Sequence, residues 1–150
     1  MAISRGAGTE IIRSAHFEDV DSTLQVLIQG VQHHIYTVLS VICLADTLNS
    51  TGNYLRMNLL GYDAKEGTTQ ENMVIFLQKF SAVNQTFVWN DKFSFNGTEP
   101  TDWTGAMDGA DDQNALADQA TATSQSLIID TSASGLTVNC GVTFIDQNNA

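Results

Sequence analysis

Histidine is the side chain best suited to acid–base and metal chemistry near neutral pH, and this chain has three: His16, His33 and His34. His33 and His34 are adjacent, so in a strand they point to opposite faces. They cannot share one metal ion unless a turn separates them, which favours surface or interface roles. His16 stands two residues before Glu18 and Asp19, a short polar cluster expected at a strand end rather than in a metal site. The other concentration of hard ligands is acidic. Asp108, Asp111 and Asp112 lie close together and would suit Ca²⁺, but their spacing does not follow the EF-hand loop. A solvated acidic loop is the expectation there. No GxSxG elbow, P-loop or GxGxxG is present, and no serine sits in a nucleophile context. No catalytic residue, cofactor site or metal site is predicted.

Cys43 and Cys140 are the two cysteines, each inside an apolar, strand-like run. Two cysteines do not make a disulfide framework. They are expected to be buried free thiols, a bridge between sheets remaining open.

The elements that would position these residues follow a period of two, broken by turn-forming clusters. Strands are expected over 10–17, 24–28, 35–44, 54–62, 72–80, 85–95, 126–130 and 136–145. The strand over 35–44 is apolar on both parities, as a strand buried on both faces would be. Phe87, Trp89, Phe93 and Phe95 fall on one parity and are assigned to the core, with a bulge or kink at Asn90-Asp91. In the last strand Leu136, Val138, Cys140, Val142 and Phe144 point inward. Asn49 to Asn53 is read as a turn and Asp63 to Gln70 as a loop.

Residues 96–123 stand apart. They hold the only proline, three glycines and six acidic residues, with no basic residue. They are read as an acidic insertion carrying a short helix over Asp112–Ala120, with Asp111 or Asp112 as its N-cap. Residues 1–9 lack any hydrophobic period and are read as an N-terminal arm. Taken together, this predicts one all-β domain over residues 1–150: a β-sandwich, Ig-like or jelly-roll, of about eight strands.

Charge narrows the partners. Six Lys+Arg face 17 Asp+Glu, for a formal net charge of −11, and no basic residue follows Lys92. Nucleic acids and anionic membranes are held by basic residues, so neither is an expected partner. No run reaches the ~18 apolar residues of a membrane-spanning helix, and residues 1–6 lack the apolar stretch of a secretory signal. Asn49, Asn84 and Asn96 each begin an N-x-Ser/Thr triplet, taken as chance in a chain rich in these residues.

One ordered set of pieces carries a resemblance. Ile35-Tyr36-Thr37-Val38 opens an apolar strand. Asn84-Gln85-Thr86-Phe87-Val88-Trp89-Asn90-Asp91-Lys92-Phe93-Ser94-Phe95 follows a strand pair. Gln125 to Asp130 and Leu136 to Ile145 close the chain. Over residues 35–145 this resembles a family of small tailed-bacteriophage virion structural proteins. The long 96–123 segment departs from that pattern, so its role is not carried over. The resemblance implies a β-sandwich and a place on the virion, and it does not imply a catalytic residue. The expected function is capsid decoration (cement), as a homo-oligomer in contact with other virion proteins. The rivals are a tail, neck or fibre component, a carbohydrate-binding module using Trp89, Trp103, Tyr54 or Tyr62 as a sugar platform, and, least favoured, a hydrolase. Ile3, Arg5 and Arg13, in or near the arm, are the candidate subunit contacts.

Overall fold

The computed structural model describes residues 6, 8–63, 68–100, 109–111 and 122–149. All eleven elements among them are strands: β1 (Thr9–Val20), β2 (Gln25–Gln29), β3 (His34–Leu48), β4 (Tyr54–Asp63), β5 (Thr68–Lys79), β6 (Thr86–Trp89), β7 (Phe93–Asn96), β8 (Thr98–Pro100), β9 (Ala122–Ser124), β10 (Ser126–Thr131) and β11 (Leu136–Asn148). Ala110 and Asp111 are helical, so Asp111, one of the two expected N-caps, lies within a helical turn; the helix expected over 112–120 otherwise lies outside the described residues. So do residues 1–5 and 7 of the arm; the arm's last residue, Thr9, already belongs to β1.

Two antiparallel sheets form a sandwich. The first, sheet A, runs β1-β11-β3-β6, with β7 also on β3; the second, sheet B, runs β2-β10-β4-β5. The residues read as one strand over 85–95 are the two short strands β6 and β7. Both pair with β3, in register Val41↔Trp89 and Val38↔Phe93. The break falls at residues 90–92, where the polar Asn90-Asp91 was expected to kink the chain. With β6 and β7 taken as one interrupted strand, the order is that of a jelly roll, a double sheet built from two Greek keys. Apart from the β8–β9 ribbon, the connections between strands of the two main sheets cross from one sheet to the other except at the β4–β5 hairpin. The Ig-like alternative does not fit this order.

Alternation decides what each sheet buries. On sheet A, Val38, Val41, Cys43, Val138, Cys140 and Val142 face sheet B and are at most 1% exposed. From sheet B come Leu55, Met57, Leu127 and Ile129, each 0% exposed. The predicted aromatic stripe is inward: Phe76 of β5 packs on Phe87 and Trp89, and Trp89 meets Phe93 edge-on. These contacts close the sandwich along one side.

Strand ends run longer than the sequence suggests. β5 begins at Thr68, inside the segment read as a loop, because Tyr62 and Asp63 pair with Thr69 and Thr68 across the hairpin. The bases of the acidic insertion are tied into a ribbon, β8 against β9. Beside it three backbone segments meet. Gly30 N–H donates to Gln125 O at 2.8 Å, Gln125 N–H to Gly97 O at 2.9 Å, and Gly97 N–H to His34 O at 2.7 Å. Glycine is required here: a Cβ on Gly97 would overlap the Val31 backbone, and one on Gly30 the carbonyls of Gly97 and Gln125.

β3 corrects an expectation. Its apolar residues on both parities suggested burial on both faces, yet only one face is covered, and Ile42 is 50% exposed. The strand that does bury both faces is β10, whose six residues are all buried. On the outer face of sheet A the register builds cross-strand rows. One is Ile12–Ile145–Thr37–Ser94, the next Ser14–Thr143–Ser40, the next His16–Gly141–Ile42–Val88.

Candidate functional site

The open side of the sandwich, between the edge strands β1 and β2, holds a cleft of about 460 Å³. Its floor is apolar, with Leu27, Ile28, Tyr36 and Phe144. Its polar centre is Asp146, near the end of β11. Parity explains that position. Asp146 continues the inward series Cys140, Val142, Phe144, so its carboxylate enters the sandwich, where the residue is 3% exposed. A buried charge requires partners. The structure supplies His34 Nδ1 at 2.6 Å from one carboxylate oxygen and Arg13 Nε at 3.1 Å from the other.

Three strands thereby converge on one group: β1 through Arg13, β3 through His34 and β11 through Asp146. The His34 ring lies over Tyr36, and Tyr36 stacks on Phe95 at 5.3 Å. Tyr36 also accepts a hydrogen bond from the Val31 N–H at 3.2 Å. An imidazole held by a carboxylate is half of a hydrolytic triad. The nearby hydroxyl does not complete it, because Ser14 sits on the opposite parity of β1 and shares its hydrogen bond with Thr143 on the outer face. The cluster is built to tie strand ends together.

On sheet B, Arg56 forms a two-pronged pair with Asp130, Nε to Oδ1 at 2.7 Å and Nη2 to Oδ2 at 3.0 Å. The Asp130 hydrogen bond pushes the guanidinium pKa up. Arg13 and Arg56 are thus both engaged within the chain.

The sequence-predicted residues are dispersed. Ile3 and Arg5 lie outside the described residues. Arg13 is on β1, its side chain 53% exposed and paired with Asp146. His16 is not at a strand end; it sits inside β1 on the outer face. His33 lies in the turn before β3 with φ 66°, and His34 opens β3, so the pair is split by backbone geometry rather than by alternation alone. Of the proposed sugar platform, Trp89 points inward against Phe76 and Phe93, which removes it. Trp103 lies outside the described residues, as do Asp108 and Asp112. Among the described residues, no group of three His, Cys, Asp or Glu is placed to hold a metal ion. No described helix is long and apolar enough to cross a membrane. Sequence reasoning missed Asp146; extending the alternation of β11 by two residues past Phe144 would have found it.

No protein-family model and no curated protein matches this chain. Solved structures to which this chain shows similarity include a pilus of Bacillus endospore appendages, 10% identical over all of this chain and 97% of that one, TM-score 0.37. Another is a structure of infectious bursal disease virus, 11% identical over 99% of this chain, TM-score 0.38. A third is turnip yellow mosaic virus, 9% identical over all of this chain and 86% of that one, TM-score 0.32. The chain spans about a third (34%) of the infectious bursal disease virus chain it matches. These neighbours are virus-particle and pilus proteins.

Proposed function

We propose that the chain is a non-enzymatic structural protein of a tailed-phage virion, and that it acts as a capsid decoration protein. The observation that carries this reading is the arrangement of the motif-bearing strands. The Ile35–Val38 segment starts the central strand β3, and the interrupted Thr86–Asn96 strand lies against it. The closing pair, β10 and β11, stands at the centre of each sheet. The jelly roll they form is an architecture used by capsid domains, among others, and fold alone does not assign function. Two further features favour a part over a catalyst. The polar centre of the cleft is occupied by the Arg13–Asp146 ion pair and the His34–Asp146 hydrogen bond, which tie strands, and two long edge strands, β1 and β5, flank the sandwich with backbone groups available for subunit contact.

Mass spectrometry of purified particles tests the reading. A decoration protein is expected in hundreds of copies per particle, a tail or neck component in far fewer; absence from particles overturns both. The arm is the proposed contact with neighbouring virion subunits, through Ile3 and Arg5, with Arg13 beside it at the start of the sandwich. Deleting residues 1–7 spares the backbone pairing of Gly8 with Asn148. The truncated chain is expected to melt like the full chain and to load less well onto particles.

A further inference from the structure

The outer face of sheet A is a broad surface of this acidic chain whose interior, among the described residues, carries no acidic or basic side chain other than His16. Across the rows from Ile12 to Val88 the residues are Ile, Val, Leu, Ser, Thr, Asn and Gly, with His16 the one titratable group. The exposed charges nearby stand at its margin: Glu10 and Glu18 toward the two ends of β1, Asp46 in the β3 bulge, Asp91 and Lys92 in the β6–β7 break. Depletion of charge at the centre with charge at the rim is the compositional mark of a protein–protein interface.

Two more observations point the same way. The hydroxyls on this face satisfy one another across strands: Ser14 with Thr143 at 3.4 Å, Thr37 with Ser94 at 2.8 Å, Thr47 with Thr137 at 2.9 Å. A hydroxyl already paired loses less when water is removed. The face also has relief. Gly141 lacks a side chain between His16 and Ile42, leaving hollows of about 220 and 330 Å³ on either side of that row. Beside them Ile12 stands 71% exposed, Val88 51% and Ile42 50%.

We infer that this face is a self-association surface, where a second copy of the chain packs outer sheet against outer sheet, Ile12 of one copy entering the hollow beside Gly141 of the other. Charge restricts which face two copies can share, and the relief of that face selects a second copy as the occupant. Each copy carries a formal −11, so two copies repel through most of their surface and approach at least cost through the face without acids. The match of knob and hollow on one surface satisfies the self-complementarity that a two-fold interface requires. Four strands at about 4.8 Å and seven residues at about 3.4 Å give a patch of roughly 450 Å² per copy. Burying about 900 Å² in total places the contact among weak, reversible interfaces. Such a contact becomes effective where copies are held close together, as on a particle. To that extent the inference deepens the proposed virion role, but the surface itself stands on the geometry alone.

Sedimentation velocity on the full chain, from micromolar to near-millimolar concentration at low and high salt, tests it. A monomer–dimer equilibrium is expected that tightens as salt screens the like charges, the reverse of an interface held by ion pairs. Ile42→Asp is expected to weaken dimerisation about tenfold or more. Leu77→Asp, an equally exposed apolar site on β5 of the other sheet, is expected to leave it unchanged. Val88→Asp serves as a second variant if Ile42→Asp alters the melting curve. A chain that stays monomeric throughout, a dimer that loosens with salt, or equal disruption by Leu77→Asp overturns the inference. Particle mass spectrometry is independent of all three outcomes, so failure here and failure of the virion reading are told apart.

Discussion

Cys43 and Cys140 stand directly opposite each other on β3 and β11, the two central strands of sheet A, with the Cys140 thiol donating to Cys43 Sγ at 3.5 Å. Both are free and 0% exposed. The bridge left open by the sequence was one between sheets; the pair instead lies within one sheet. The hydrogen bond shared with Cys140, and then burial, hold the Cys43 thiol protonated far above its usual range.

The thiolate is the reactive form, so the native chain at pH 8 is expected to resist a thiol reagent such as dithionitrobenzoate and to release two equivalents only in denaturant. The sign of the pH effect follows. An unfolded thiol ionises above about pH 8.5, whereas the folded Cys43 keeps its proton. The unfolded state then binds fewer protons, so the Cys43 contribution is fully present below that pH and falls by up to ~1.4 kcal/mol per unit above it. Melting the wild type and Cys43→Ala/Cys140→Ala from neutral to alkaline pH isolates the slope. Equal slopes would show that Cys43 is not held protonated.

Asp146 is expected to matter more than either partner. Asp146→Asn leaves one of the two donors facing a neutral amide oxygen and the other facing an NH2 group, at a cost of about 1.5–3 kcal/mol for a lost charge-assisted bond. Arg13→Ala removes a side chain that is half exposed and screened, and is expected to cost about 0–1 kcal/mol. Denaturant midpoints rank the two; a larger loss for Arg13→Ala would mean the cluster is held from the surface.

The core prediction contrasts two apolar residues. Phe80 is 1% exposed and Ile12 71% exposed. Phe80→Ala is expected to cost about 3–5 kcal/mol. Ile12→Ala in the dilute monomer should fall within about 0.5 kcal/mol of wild type. Trp89, only partly buried in its stack with Phe76 and Phe93, is expected to cost less than Phe80 when truncated.

Two glycines give the backbone test. An added methyl at Gly97 meets the Val31 backbone, which cannot move aside without breaking the junction with Gly30 and Gln125. Gly97→Ala is expected to cost about 1–3 kcal/mol or more. At Gly141 the nearest atom to an added Cβ is Ala15 O at 4.0 Å, so Gly141→Ala should change stability by less than about 0.5 kcal/mol. Thermal melts of both variants decide whether close approach, rather than strand propensity, governs these sites.

By itself the sequence determined the eight main strand-forming stretches and, for most of them, which residues point inward, because side-chain alternation is a local property of extended backbone. The parity of Leu136 to Phe144, the aromatic stripe and the kink after Trp89 were all legible for that reason. Only the tertiary structure decided which strands are neighbours, since pairing joins residues far apart in the chain, such as Cys43 with Cys140. That choice made the sandwich a jelly roll, set Asp146 between His34 and Arg13, and gave Trp89 its partner Phe76 on the other sheet. It also decided which strand is covered twice. β3 is apolar on both parities yet ends with one face open, whereas β10, flanked by β2 and β4, is buried on both. Hydrophobic composition records that a face is to be covered; whether the cover comes from the same chain or from another is fixed by packing.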